Sequence, residues 1–223
     1  MQRSVFVLAG TVALGLISPA FAADLMIDEP AMPGMVEAAG GNWEGMYLGV
    51  FGGYSWGSFT DEEFGYYFPD DKLDVDGFHL GVAAGANFYL SDSVIAGVVG
   101  DLAWSNQTGS LSDYNSEGTI NWFGSVRGKL GYDAGAYMPY LTAGLAFANG
   151  TFFQTSLGPN TDTQTHVGWT AGAGVAIAVT DSMSIDLSYR YADYGSRDYD
   201  IYNPDSELGL TDHIVSVGLN WKF

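Results

Sequence analysis

Between residues 77 and 90 the chain alternates without interruption. Phe78, Leu80, Val82, Ala84, Ala86, Phe88 and Leu90 fall on one side, and Gly77, His79, Gly81, Ala83, Gly85, Asn87 and Tyr89 on the other. A period of two residues is the signature of an extended strand with one apolar face and one small or polar face. The pattern recurs down the chain and predicts strands at about 43–56, 77–90, 94–104, 119–132, 139–147, 167–179, 184–194 and 211–223. The connections between them are short at 91–93, 133–138 and 180–183, and long at 57–76, 105–118, 148–166 and 195–210. Membrane barrels of this build have short periplasmic turns and longer external loops. The expectation is therefore an all-β fold, an eight-stranded antiparallel up-and-down transmembrane β-barrel over 42–223, with both termini periplasmic.

The parity of the charged residues tests that expectation. If even-numbered residues of the fourth strand face lipid, the wall carries Ile120, Trp122, Gly124, Val126, Gly128, Leu130 and Tyr132, and the lumen receives Arg127 and Lys129. The opposite choice would cost about 2–4 kcal/mol for each basic residue near the bilayer midplane. The sixth and eighth strands agree, with Trp169, Val175, Ile177, His213, Val215, Val217, Leu219 and Trp221 outward. Trp56, Trp104, Trp122 and Trp169 then fall at the outer strand ends, and Trp43 and Trp221 at the inner ends. Indole rings at headgroup level form such aromatic girdles. A soluble sandwich or lipocalin-like barrel would fit the alternation too. It would need a polar opposite face, and here that face is chiefly Gly, Ala, Ser and Thr.

Residues 1–22 have the parts of a secretory signal peptide: Arg3, an apolar run from Val5 to Ile17, and Ala20-Phe21-Ala22 as a small-x-small cleavage site. The apolar run falls short of the roughly 20 residues that cross a bilayer as a helix. Residues 23–41 are acidic, contain Pro and Met and lack any period, which reads as a flexible periplasmic linker. A net charge of -19 argues against nucleic acid as a partner. The absence of cysteine removes disulfides and thiolate chemistry. Low charge (15%) with many aromatics (15%) leaves much apolar area that a lipid-facing wall accommodates.

The segments NWEGMYLG (42–49), GVVGDLAW (97–104), WFGSVRGKLGY (122–132), PYLTAG (139–144), GWTAGAGVA (168–176) and VGLNWKF (217–223) resemble the alphaproteobacterial outer-membrane β-barrel proteins, the RopB-type or "porin family" group. That group is similar in architecture to the OmpA transmembrane domain. The resemblance implies an eight-stranded barrel in the cell outer membrane with roles in envelope integrity and in contact with host or environment. It also implies that Phe223 is the terminal aromatic signal read by the barrel-assembly machinery. The sequence departs from the group at Val99, where a lumen acid is expected, and at Ala176 and Ser216, where charged lumen residues are common. The separate peptidoglycan-binding domain of full OmpA proteins is expected to be missing.

Six charged residues point into the expected lumen: Asp101, Arg127, Lys129, Asp186, Arg190 and Lys222. Charges out of water must be paired, so ion pairs are predicted among Asp101, Arg127 and Arg190 at one depth and between Asp186 and Lys222 near the periplasmic end. An eight-stranded barrel is just wide enough for side chains to fill. Structural plugging is thus favoured over a narrow small-solute channel, which stands as the alternative. Acidic residues crowd the first loop (Asp61, Glu62, Glu63, Asp70, Asp71, Asp74, Asp76) and the last (Asp198, Asp200, Asp205, Glu207). They read as solvated, self-repelling loops rather than a calcium site, since Lys72 and Ala83 stand where an EF-hand needs its first ligand and its bidentate Glu. No catalytic, cofactor-binding or metal-ligating set is assigned. A lipid-modifying enzyme would require a serine close to His79 or His166, together with a third group that orients the imidazole. The expected partners are outer-membrane lipid and lipopolysaccharide, the assembly machinery, and host or environmental surface ligands reached by the loops.

Overall fold

The computed structural model describes residues 42–61, 72–111, 116–154, 160–198 and 207–223. The segments read as signal peptide and linker lie outside them, as do Glu62, Glu63, Asp70, Asp71, Asp200 and Asp205 of the acidic loops.

The strands are β1 (Gly45–Asp61), β2 (Lys72–Tyr89), β3 (Val94–Leu111), β4 (Ser116–Tyr132), β5 (Tyr137–Gln154), β6 (Asn160–Ala178), β7 (Met183–Asp198) and β8 (Glu207–Lys222). Each pairs antiparallel with its sequence neighbour, and β8 returns to β1 to close the cylinder. Closure joins Tyr47 opposite Lys222 to Asp61 opposite Leu208. Among the described residues no edge strand is left, so the ladder N–H and C=O groups of the wall can find partners, which a bilayer demands.

Short hairpins lie at one end, the turn end, together with the start of β1 and the end of β8. Val179 and Thr180 donate to the Met183 carbonyl in the β6–β7 turn. Gly135 supplies the left-handed backbone (φ 75°) that the β4–β5 turn needs. The strands run well past the predicted limits at the other, loop end: β2 begins at Lys72 rather than 77, and β6 at Asn160 rather than 167. Much of what read as long loop is therefore strand.

The outward residues of the middle zone are bare apolar side chains, with Phe78 at 66% and Leu145 at 64% exposure. A continuous belt of this kind has no place in water and marks a lipid-facing wall. Parity holds through most of the wall but breaks in β4. The β3–β4 register shifts between Trp104 and Gln107, and the β4–β5 register between Ile120 and Trp122. Asn121 is the bulged residue, and its amide donates to Asn149 (3.2 Å) and Thr151 (2.9 Å). Beyond the bulge the strand faces are exchanged, so Ile120 is fully buried in the lumen and not on the lipid wall as expected.

Candidate functional site

The lumen is filled in layers. In the middle, β3 contributes Asp101, β4 contributes Arg127 and β7 contributes Arg190 from across the cylinder. Arg127 Nη2 lies 2.6 Å from Asp101 Oδ2, and Arg190 Nη1 lies 3.2 Å from both carboxylate oxygens. Ser125 Oγ donates to Asp101 (2.6 Å) and accepts from Arg127 Nε (2.8 Å) and Arg190 (3.1 Å). Arg127 Nη1 also donates to Thr142 (3.2 Å). One carboxylate thus holds two guanidiniums, with Ser125 and Thr142 taking up further donors of Arg127.

The next layer toward the turn end is aromatic and cationic. Lys129 Nζ donates to Tyr47 Oη (2.9 Å) and lies 4.8 Å from the Tyr47 ring centre and 4.7 Å from that of Tyr140. Tyr140 Oη donates to Asp186, 2.8 Å from each oxygen. The two phenols lie flat over neighbouring strands because Gly85 and Gly174 leave room beneath them: a Cβ at either position would collide with the ring. The predicted Asp186–Lys222 pair does not form. Lys222 Nζ instead donates to the Asn42 carbonyl at the barrel mouth, and Asp186 is satisfied by Tyr140. Depth explains the difference: Asp186 lies opposite Ala176 and Gly218, whereas Lys222 ends its strand opposite Tyr47.

On the loop side of the Asp101 layer, His79 stands between two serines. Its Nδ1 is 2.8 Å from Ser55 Oγ and its Nε2 is 2.9 Å from Ser216 Oγ. The serine that an enzyme would need is therefore beside His79. The third group is not, because both ring nitrogens are taken by hydroxyls and neither meets a carboxylate. The trio is also buried, with His79 at 4% exposure. A hydroxyl there lacks an oriented base and a path for an ester to reach it.

Above His79 the lumen becomes apolar. Phe59, Leu73, Ile120, Phe123, Leu210 and Ile214 are each at most 1% exposed and belong to one packed cluster. His79 meets Phe123 edge to face (5.3 Å). Buried within the plug, Gln107 Nε2 donates to Asp212 Oδ2 (3.1 Å). At the turn end a second cluster joins Trp43, Ile95, Met138, Tyr140 and Ala176. Trp43, expected at the girdle, is buried there, its indole donating to the Gly135 carbonyl (3.2 Å).

The other tryptophans line the outside. Trp56, Trp104 and Trp169 are exposed toward the loop end, and Trp122 is half-buried opposite Trp104. Trp56 stacks on His213 (5.5 Å, 10°). Trp221 and Phe223 are exposed at the turn end, where the Phe223 amide donates to the Met46 carbonyl (3.1 Å). Neither the two tyrosines and two serines nor the plug is marked by the alternation. Phe123 and Ile214 lie on lumen-facing parity, but an inward phenylalanine runs against the polar interior expected of a membrane barrel.

A closed sheet with a lipid-facing belt, an aromatic rim and a filled interior defines a transmembrane β-barrel. The outer membrane protein beta-barrel domain profile matches residues 30–223, and the chain belongs to that family. It is 34% identical over 218 residues to the 25 kDa outer-membrane immunogenic protein of Brucella abortus, covering 97% of each chain. It is 35% identical over 183 residues to the 22 kDa outer membrane protein of Rhizobium leguminosarum, covering 82% of this chain and 79% of the relative. Among solved structures, Neisserial surface protein A overlays with a TM-score of 0.51 at 17% identity, over 80% of this chain and 97% of the other, a likeness of fold. The protein is an alphaproteobacterial-type outer-membrane barrel.

Proposed function

We propose that the protein is a structural wall component of the outer membrane, contributing to envelope integrity and carrying acidic external loops for surface interaction with host or environmental ligands. The termini then lie in the periplasm, and Phe223 is the residue the assembly machinery reads. Outer-membrane lipid and lipopolysaccharide meet the belt and the girdle. The observation that carries this reading is the packed apolar plug of the loop-end lumen, since a solute path would have to pass through close-packed Phe59, Phe123 and Leu210. The Brucella relatives are named immunogenic, which suits exposed loops. The work proposed is non-enzymatic.

Planar-bilayer recording of the refolded protein tests the seal: a quiet membrane is expected, and large, stable conductance steps would replace the wall by a small-solute channel. A deletion strain should gain sensitivity to detergent and recover with the wild-type chain. Unchanged sensitivity would remove the integrity role.

A further inference from the structure

The zone between the plug and the turn-end cluster holds Arg127, Lys129 and Arg190 against Asp101 and Asp186, with Asp212 a third carboxylate, buried, on the plug side. Asp101 is shared by the two guanidiniums, and Asp186 accepts from the Tyr140 hydroxyl. Lys129, only 8% exposed, forms no ion pair among the described residues. Among the described residues its one hydrogen bond, to Tyr47, leaves two of the three ammonium N–H groups without an acceptor. Two tyrosine faces soften the burial but carry no negative charge.

The same ammonium borders empty space. A cavity of about 50 Å³ lies among Tyr47, Asp101, Arg127, Lys129, Asp186 and Arg190. At roughly 10–15 Å³ for each water, that is room for a few waters or one small ion with part of its shell. A second cavity of about 40 Å³ opens beside Trp43 at the turn end, and Tyr47, Lys129 and Asn220 line both. It brings Lys222 to the mouth. The apolar cluster lies on the opposite, loop side, and Lys129 and Lys222 line the turn-end side.

We propose that this pocket binds one small monovalent anion, of halide size, against the Lys129 ammonium. The ion accepts the N–H groups of Lys129 that Tyr47 leaves open, which the faces of the two tyrosine rings cannot do. A larger organic anion does not fit.

Bromide is the probe. Crystals of the native protein grown in sodium bromide should show one anomalous peak in the pocket in contact with Lys129 Nζ. In detergent, the unfolding midpoint should rise when sodium gluconate is replaced by bromide at constant ionic strength, and Lys129→Met should lose that rise. A native pocket without an anomalous peak overturns the proposal, as does a bromide-dependent rise that persists in Lys129→Met. If the variant fails to fold, the diffraction result on the native chain decides alone. Conductance does not enter this test, so failure of the sealed-wall reading and failure of the anion site are separate outcomes.

Discussion

Along β2, Phe78, Leu80 and Val82 point outward and His79 inward, while a few residues earlier Lys72, Asp74 and Asp76 point outward and Leu73 and Val75 inward. The alternation is continuous through both stretches, and only its polarity reverses. In the belt the outside neighbour is acyl chain, so polar groups are driven into the lumen and must satisfy one another there. In the loop-end extension the outside neighbour is water, so the lumen takes the apolar side chains and the strands pack around them as in a soluble barrel. Hydropathy along the chain registers the loss of the outward apolar set as the end of a strand. The strand continues because its core has moved to the other face.

The largest effect expected from this contrast lies in the belt lumen. Asp101→Ala leaves two buried guanidiniums without their shared carboxylate and should destabilise the barrel by about 3–5 kcal/mol in denaturant titration of the lipid-refolded protein. Leu210→Ala in the extension opens a cavity in a buried apolar cluster and should cost about 2–5 kcal/mol. Leu141→Ala on the belt exterior should cost clearly less, because acyl chains fill the gap. Equal costs would mean that the extension has no core of its own.

Charge placed outside sharpens the comparison further. Val126→Arg, outward between the two girdles, should cost about 2–4 kcal/mol. Asp74→Arg, outward in the extension, should stay within about 0.5 kcal/mol. A similar penalty at both sites would put the extension inside the bilayer. The smallest effect on stability is expected from deleting Phe223, whose side chain is 73% exposed. The unfolding midpoint should hardly move, while insertion in cells slows. Normal surface levels of the truncated chain at early times would contradict a role in assembly.

Strand number, order and facing were readable in the sequence because they follow from a two-residue period and from the length of the connections, both local properties. The parity of Arg127 and Lys129 was readable for the same reason. Ile120 was misplaced because one bulged residue, Asn121, reverses every facing beyond it, and an asparagine in a strand gives no sign of which neighbour it will hydrogen-bond. The Asp186–Lys222 pair does not form because the ladder sets Asp186 opposite Gly218, four residues along β8 from Lys222, a register that neither strand carries by itself.

The amino-acid sequence by itself determined that there would be a closed β wall with an oily outside and basic residues within, since each strand carries that information in its own alternation. Which lumen residues meet was decided only by the assembled cylinder. Asp101 finds Arg127 26 residues away on the adjacent strand and Arg190 89 residues away across the lumen. The stagger of eight strands around the barrel sets the height of each side chain, and that stagger belongs to no single strand.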